Sequence, residues 1–119
     1  MKVLVVDDSK AMRMIVTRSL RQIGIADLVL EEAGTGMEAI KVVEGFTPDL
    51  ILADWNMPGM TGYELFLELK AMGYNGQYGF ITTEASEEMK AKAAEAGASC
   101  FVTKPFTPEI LTKALDGMI

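Results

Sequence analysis

The stretch PDLILADWNMPGMTGYELFLELK, residues 48–70, contains a complete strand, turn and helix and carries the clearest signal for the fold. Its apolar run, Leu50 to Ala53, has the length and composition of a buried strand. A Pro-Gly turn follows, and Thr61 is placed to cap the helix that begins after it. Asp54 stands directly at the end of the strand, where no helix follows at once for it to cap. This carboxylate therefore needs another explanation.

The same strand-then-helix unit recurs along the 119 residues. A helical pattern of apolar residues follows each of five short apolar runs. Strand, helix and short link in alternation favour right-handed crossovers and a parallel sheet covered by helices on both faces. We therefore expect one flavodoxin-like α/β domain over residues 1–119, with five helices and strand order 2-1-3-4-5. The predicted strands cover residues 2–6, 28–33, 49–53, 78–82 and 100–103.

Gly79 lies in the middle of the fourth predicted strand. A central strand favours a branched side chain at such a position, and glycine weakens the pattern. The regular spacing of the other elements nevertheless requires a strand here. We therefore keep residues 78–82 as the fourth strand.

The overall composition limits the classes of partner and chemistry. A net charge of -6 and a sequence pI of about 4.6 disfavour binding to nucleic acid or anionic membranes. The single cysteine, Cys100, excludes a disulfide within the chain, and its apolar surroundings predict a buried thiol. The chain contains no histidine, so it has no histidine base, nucleophile or metal ligand. Its opening run, MKVLVVDD, is too short for a signal peptide or membrane span, which predicts a cytoplasmic protein.

Polar side chains stand at the ends of four predicted strands. In an open α/β sheet, ligands bind at the carboxyl ends of the strands, near the point where strand order reverses. In the order 2-1-3-4-5 the first and third strands are neighbours about 4.8 Å apart, so their carboxylates converge on one edge. The residues at these ends are Asp7 and Asp8 after the first strand, Asp54 after the third, Thr82 and Thr83 at the fourth, and Lys104 after the fifth.

Converging carboxylates require a compensating positive charge. Two carboxylates about 4 Å apart repel by roughly 4 kcal/mol at an effective dielectric constant near 20, so a proton or a cation must join them. Oxygen ligands without histidine or thiolate favour Mg²⁺. An ionised Asp54 beside Mg²⁺, with the Thr82 hydroxyl and the Lys104 ammonium in reach, can accept a phosphoryl group. Because the chain has no histidine, a phosphohistidine donor must be another protein.

Each of these residues also has an ordinary structural interpretation. Asp7 and Asp8 could cap the following helix, where acids favour the helix dipole. Thr82 could simply favour a strand, and Lys104 before proline could be an extended surface residue in a turn. Asn56 could only shape the turn after the third strand. Their joint placement at the strand ends favours a shared site.

A competing interpretation comes from GTGMEA, residues 34–39. It matches the dinucleotide pattern G-x-G-x-x-G/A, and Asp54 follows at about the right 20-residue distance. Against it, the pattern lies in the second strand-helix unit, and strands two and three are not adjacent in the predicted order. An ATPase lacks its G-x-x-x-x-G-K-[ST] loop, and a flavin module would place the FMN phosphate against Asp7 and Asp8. A nucleotide- or flavin-binding module remains a remote alternative.

Four segments in order resemble the successive signatures of response-regulator receiver domains, among them the single-domain chemotaxis regulators. The resemblance spans essentially the whole chain. It implies that Asp54 is the phosphoacceptor and that the backbone carbonyl of Asn56 completes the Mg²⁺ ligands supplied by the carboxylates of Asp7, Asp8 and Asp54. The segments are VLVVDDSKAMR (3–13), LILADWNMPGMTGYEL (50–65), ITTEA (81–85) and ASCFVTKPF (98–106).

The resemblance also implies a conformational switch. Thr82 is the switch hydroxyl, Lys104 is the lysine of the family pattern, and the Lys104-Pro105 peptide bond is cis. In the family, an aromatic residue on the fifth strand rotates inward when the hydroxyl is drawn toward the phosphoryl group. That residue is Phe101 here, where the best-known chemotaxis relative has tyrosine, so a switch that depends on the tyrosine hydroxyl cannot operate. Thr83 is bulkier than the small residue often found at its position.

The implied function is a two-component signalling switch, which catalyses its own phosphorylation and dephosphorylation but is not otherwise an enzyme. A histidine kinase donates the phosphoryl group and a phosphatase can remove it. Output comes from a monomer through helix four, strand five and helix five, residues 86–115, because no effector domain follows in the sequence. We expect the target to be a flagellar motor switch protein. The alternative is a single-domain receiver in a phosphorelay or another pathway.

Overall fold

The computed structural model describes residues 1–119, in which five strands alternate with five helices. The strands are all parallel and have the order β2-β1-β3-β4-β5, which confirms the predicted flavodoxin-like arrangement. The strands are β1 (Lys2–Val6), β2 (Val29–Ala33), β3 (Leu50–Ala53), β4 (Gln77–Thr82) and β5 (Cys100–Thr103). The helices are α1 (Lys10–Ile23), α2 (Gly36–Phe46), α3 (Gly62–Ala71), α4 (Glu87–Ala96) and α5 (Pro108–Ala114).

The core is divided by the sheet into two clusters. Successive side chains of a strand point to opposite faces, so Leu4 and Val6 belong to one cluster while Val3 and Val5 belong to the other. Helices α2, α3 and α4 contribute to the first cluster, and α1 and α5 contribute to the second. Strands buried on both faces read as continuous apolar runs, which is why β1 and β3 were predicted within one residue. None of the five helices has the length and apolar character needed to cross a bilayer.

Gly79 in β4 is explained by its neighbour on β5. A Cβ atom at residue 79 would overlap the Sγ atom of Cys100 and lie 3.1 Å from a methyl carbon of Leu52. The Cys100 side chain thus occupies the space that a larger residue would need. The strand forms with glycine at this position because the thiol fills the gap from the adjacent strand.

Cys100 is half-buried rather than fully buried, and desolvation raises the pKa of its thiol from 9.0 to about 11. We expect alkylation by iodoacetamide at pH 8 to be at least tenfold slower in the folded protein than in urea, because the thiolate is the reactive form.

The Cys100 thiol also makes the free energy of unfolding depend on pH. Between pH 9 and 11 the unfolded chain loses this proton first, so stability falls as pH rises through that window.

Mass spectrometry of timed alkylation reactions measures the first effect, and urea titrations at pH 8 and pH 10 measure the second. The decrease in stability between these pH values should be smaller in Cys100→Ala, in which no thiol titrates. Equal alkylation rates in native buffer and in urea would show that burial does not suppress the thiolate.

Candidate functional site

The carboxyl ends of β1 and β3 bring three carboxylates together. Val6 pairs with Ala53 in the parallel register, so the residues that follow, Asp7 and Asp54, leave the sheet side by side. Asp7, Asp8 and Asp54 each offer an oxygen atom within 4.8 Å of the other two. Asp7 is buried, Asp54 is partly buried and Asp8 is exposed. The structure therefore forms the acidic cluster that the strand order predicts.

Lys104 projects into this cluster from the end of β5. Its Nζ atom lies 2.9 Å from Oδ2 of Asp7 and 3.4 Å from Oδ2 of Asp54. The lysine side chain is only 7% exposed, so its interpretation as a surface turn residue is wrong. A buried ammonium between two carboxylates offsets part of their mutual repulsion. The peptide bond between Lys104 and Pro105 is cis, as the resemblance implies.

Asp7 is held in place by the start of α1. Its Oδ1 atom accepts a hydrogen bond from the backbone N–H of Ser9 at 2.9 Å. Ser9 is the N-cap of α1, since its hydroxyl accepts from the backbone N–H of Met12 at 3.2 Å. The interpretation of Asp7 and Asp8 as helix caps is therefore wrong. The cap lies one residue after Asp8 and two after Asp7, and both carboxylates lie within 4.8 Å of Asp54 at the strand ends.

Arg13 supports the acidic cluster from α1, a role that was not predicted from the sequence. Its Nη1 atom donates to the backbone carbonyl of Asp7 at 2.6 Å, and its Nε atom donates to Glu32 at 3.0 Å. The guanidinium thereby joins the end of β1 to β2. Arg13 is the last residue of the segment VLVVDDSKAMR (3–13), but its role is not visible there because a contact with a backbone carbonyl leaves no pattern in the partner's residue type.

The loop that carries Asp54 is fixed by close backbone contacts with α3. The backbone N–H of Asn56 donates to Oδ1 of Asp54 at 3.3 Å. The backbone N–H of Gly62 donates to the carbonyl of Trp55 at 2.8 Å, and the Tyr78 hydroxyl donates to the carbonyl of Gly62 at 2.8 Å. Gly62 therefore joins the Asp54 loop to β4 through its own backbone. The Asn56 side chain is exposed, and the role of its carbonyl as a metal ligand stays a prediction.

Gly62→Ala should lower the free energy of unfolding by about 2 kcal/mol, the range of overpacking in a well-packed site. A Cβ atom there would overlap the carbonyl oxygen of Asp54 and lie 3.2 Å from the Cα atom of Trp55. Both are backbone atoms, so the loop or the helix must shift. Gly45→Ala is the matched control, because its Cβ atom would contact nothing within 4 Å in α2.

The control should raise stability by about 0.5 to 1 kcal/mol, because alanine loses less conformational entropy than glycine in a helix. Urea unfolding followed by circular dichroism measures both variants. Replacement of glycine by alanine is thus expected to lower the free energy of unfolding at residue 62 and to raise it at residue 45. An unchanged midpoint for Gly62→Ala would show that the Asp54 loop is not closely packed against α3.

Thr82 ends β4 and is completely buried. Its hydroxyl oxygen accepts from the backbone N–H of Glu84 at 3.4 Å, and its carbonyl accepts from the backbone N–H of Lys104 at 2.8 Å. The second bond joins the ends of β4 and β5. Thr82 therefore lies at the predicted edge of the sheet, with its hydroxyl paired within its own turn, while the adjacent Thr83 is exposed.

The chain is similar to known proteins over nearly its full length. The profile described as response regulator receiver domain matches residues 3–116 of this chain. The chain belongs to the response regulator receiver domain family. Chemotaxis protein CheY-3 of Vibrio cholerae is 37% identical over 118 residues, which cover 98% of this receiver domain and 89% of the relative. Chemotaxis protein CheY of Pseudomonas aeruginosa is 35% identical over 118 residues, with 98% and 94% covered.

A solved structure has the same fold as the receiver domain. The structure of the chemotaxis protein CheY4 of Vibrio cholerae superposes with a TM-score of 0.85 at 35% sequence identity. The match covers 99% of this chain and 98% of that chain. Receiver domains are the phosphorylation-dependent signalling modules of two-component systems, so this chain belongs to that class of signalling protein.

The glycines of the dinucleotide pattern have packing roles in the receiver domain. Thr35 between them caps α2, accepting from the backbone N–H of Glu38 at 3.1 Å. A Cβ atom at Gly36 would lie 2.6 Å from Sδ of Met60, and one at Gly34 would lie 3.3 Å from Nη1 of Arg13. Side chains of the protein therefore fill the space beside these glycines. Since β2 and β3 are also not adjacent, the dinucleotide interpretation loses its support.

Phe101 of the receiver domain is half-buried and belongs to a row of aromatic rings. Its ring centroid lies 5.9 Å from that of Phe80 and 6.4 Å from that of Trp55. Trp55 in turn stacks on Tyr63 at 5.0 Å. Because Trp55 directly follows Asp54, the row connects the residue beside the acidic cluster with the α4-β5 face. Phe101 also lines a small cavity on that face with Lys90, Ala93, Ala94, Ala98 and Cys100.

The acidic cluster fits a hard divalent cation. Its donors are three carboxylates within 4.8 Å of one another, and the chain has no histidine to favour a softer metal. Mg²⁺ usually takes one or two carboxylates and keeps several waters, which suits a cluster with one exposed member, Asp8. Asp7, Asp8 and Asp54 are the side chains of the receiver domain that would hold it.

Proposed function

We propose that this receiver domain accepts a phosphoryl group on Asp54 from a histidine kinase and signals by protein-protein contact. The observation that carries the proposal is the position of Lys104, whose ammonium lies against both Asp7 and Asp54 at the strand ends. An ionised carboxylate beside a fixed positive charge is a competent acceptor of a phosphoryl group. The chain also lacks histidine, so the donor imidazole belongs to another protein.

Asp54 acts as the nucleophile. One of its carboxylate oxygens forms a bond to phosphorus while the phosphorus-nitrogen bond of the donor phosphohistidine breaks, and the departing imidazole takes up a proton from solvent. Phosphoryl transfer needs positioning and neutralisation of charge rather than further covalent chemistry. Held by Asp7, Asp8 and Asp54, Mg²⁺ would supply Lewis-acid stabilisation of the phosphoryl oxygens. Lys104 adds the ammonium, and Asp7 orients Lys104 through their 2.9 Å contact. The domain promotes its own phosphorylation and dephosphorylation and has no other enzymatic role.

Phosphorylation is read out at β4 and β5, on the face of the sheet that carries Thr82, Phe80 and Phe101. The hydroxyl of Thr82 moves toward the new phosphoryl group, which frees the space next to Phe101. The half-buried phenyl ring then changes its packing against Phe80 and alters the α4-β5-α5 face. The Phe101 side chain has no hydroxyl, so the switch operates by packing alone. Such a shift in population requires that the partner bind the two states with different affinity.

The target is a flagellar motor switch protein, and the setting is chemotaxis in the cytoplasm. The support is the similarity to chemotaxis proteins of Vibrio cholerae and Pseudomonas aeruginosa over nearly the full chain. Binding of a purified flagellar motor switch protein to the phosphorylated and unphosphorylated forms tests the target. Transfer of the phosphoryl group to a histidine phosphotransfer protein, with no binding to the motor protein, would favour a phosphorelay instead.

The central test is incubation with acetyl phosphate and Mg²⁺ followed by intact mass spectrometry. We expect a gain of one phosphoryl group, lost on treatment with hydroxylamine, which cleaves acyl phosphates, and absent when EDTA replaces Mg²⁺. Trp55 gives a second readout, because its fluorescence should respond to Mg²⁺ bound beside Asp54. A label that resists hydroxylamine would place the phosphoryl group elsewhere, and a flat fluorescence titration would contradict the metal site.

A further inference from the structure

A second concave region lies at the end of the sheet opposite the acidic cluster. It is a cavity of about 610 Å³ where α2 and α3 end and β3 and β4 begin. Asp49 borders it at the start of β3, whereas Asp54 follows the other end of that strand. A volume of this size is typical of sites for small molecules. None of the residues assigned to phosphoryl transfer lines this cavity.

The cavity has an apolar floor and an aromatic wall. Val43, Leu69 and Met72 supply apolar side chains, and Leu69 is completely buried beneath the opening. The Tyr74 hydroxyl donates to the carbonyl of Gln77 at 2.7 Å, which fixes the orientation of the phenol. A Cβ atom at Gly76 would lie 2.7 Å from Cζ of Tyr74, so the ring is packed directly against the backbone. The wall is therefore already formed in the folded protein.

All the charged side chains that line this cavity are acidic. Glu44 and Asp49 border it, and its lining includes no lysine or arginine. Helices α2 and α3 both end here, and helix C-termini carry partial negative charge. The last turn of α2 contains no basic residue, and Lys70 in the last turn of α3 donates instead to the carbonyl of Ala96. Negative charge at this opening is therefore not compensated by the cavity's own side chains.

Two neighbouring groups bear on this charge. The backbone N–H of Lys2 donates to Oδ2 of Asp49 at 2.8 Å, while its ammonium lies 5.8 Å from the ring centroid of Phe46, outside the cavity lining. Burial, with the nearby charge of Asp49, holds the pKa of Tyr74 well above its usual value, so the phenol stays neutral. A neutral aromatic face beside a carboxylate is a favourable environment for a cation.

We propose that this cavity binds a small amphipathic organic cation, with an aromatic or alkyl body and an amidinium, guanidinium or ammonium head. The body covers the accessible apolar side chains of Val43 and Met72, which lie above the buried Leu69. The head lies between the carboxylates of Asp49 and Glu44 and the face of Tyr74. The site is independent of phosphorylation, since it uses neither Asp54 nor Lys104.

Benzamidine, benzamide and benzoate form a matched set of probes with cationic, neutral and anionic heads on one aromatic ring. Each is titrated into ¹⁵N-labelled protein and followed by amide chemical shifts. We expect benzamidine to shift the amides of residues 73–77 with millimolar affinity, as the size of the probe permits. Benzamide should bind at least fivefold more weakly, and benzoate should cause no saturable shift. Higher salt should weaken binding of benzamidine, because the carboxylates are exposed.

A variant at the opening tests whether binding needs the negative charge of Asp49, because asparagine keeps the shape of the side chain. Asp49→Asn should weaken benzamidine binding about fivefold, in the range expected for a solvent-exposed ion pair, and can still accept the bond from Lys2. Glu31→Gln, an exposed acid on β2, is the matched control and should leave binding unchanged. Equal binding of benzamide and benzamidine, shifts centred on the Asp54 loop, or the absence of saturable shifts up to the solubility limit would each overturn the proposal. The readout requires no phosphorylation, so its failure is distinguishable from failure of the proposed function.

Discussion

Asp54→Asn is expected to abolish phosphoryl acceptance from acetyl phosphate while the protein stays folded. The amide removes the nucleophilic oxygen anion but keeps the shape of the side chain. Asp7 remains paired with Lys104 at 2.9 Å, so the buried ammonium retains a carboxylate partner and no unpaired charge is created. Intact mass after incubation with acetyl phosphate and Mg²⁺ should show no added phosphoryl group, while circular dichroism should match that of the parent protein.

Asp116→Asn is the control for this result. It makes the same chemical change at an exposed acid near the C-terminus, far from the strand ends in sequence and outside the acidic cluster. It should take up phosphate as the parent protein does. Labelling of Asp54→Asn to the same extent as the parent protein would contradict the assignment of Asp54 as the phosphoacceptor.

Lys104→Met is expected to lower folding stability and to slow phosphorylation, for two different reasons. First, it leaves the carboxylates of Asp7 and Asp54 without their buried cation, and breaking a buried pair in this way costs about 3 kcal/mol of folding stability in Mg²⁺-free buffer. Second, it should slow phosphorylation about a hundredfold even with Mg²⁺ present, since a fixed positive charge at the reacting oxygens is lost. Urea unfolding with EDTA measures the first effect, and the time course of mass gain measures the second.

Mg²⁺ should restore part of the stability lost in Lys104→Met, because the metal can neutralise the same two carboxylates. Its affinity for the variant should exceed its affinity for the parent protein, since Lys104 no longer competes for Asp7 and Asp54. Lys113→Met, at an exposed lysine of α5, should change neither stability nor rate. If Lys104→Met is as stable as the parent without Mg²⁺ and labels at the same rate, the ammonium has no role in the site.

Most of the fold could be predicted because its signals are local. Strands buried on both faces show continuous apolar runs, and the Thr61 cap marks the start of α3 through its own side chain. The remaining errors in strand position are single residues: β2 and β3 each begin one residue later than predicted, and β4 begins one residue earlier. End residues of strands depend on hydrogen bonds from neighbouring strands, which a single sequence does not display.

The candidate site divides in the same way between local and tertiary information. The meeting of Asp7, Asp8 and Asp54 followed from strand order, because parallel strands present their carboxyl ends at one edge. The contact of Arg13 with the carbonyl of Asp7 did not, since it depends on how α1 crosses the sheet. The interpretation of Asp7 and Asp8 as helix caps is wrong because Ser9, the next residue, caps α1 instead.

The packing of Gly79 against Cys100 has a consequence for how this sequence can change. A side chain at either position occupies the same space between β4 and β5, so the size tolerated at one depends on the size present at the other. A larger residue can replace Gly79 only after a smaller residue has replaced Cys100. If Gly79 is replaced first, the intermediate protein is overpacked between β4 and β5. These two residues are therefore coupled in substitution, and a related protein that carries alanine at the position of Gly79 should carry a smaller residue opposite it.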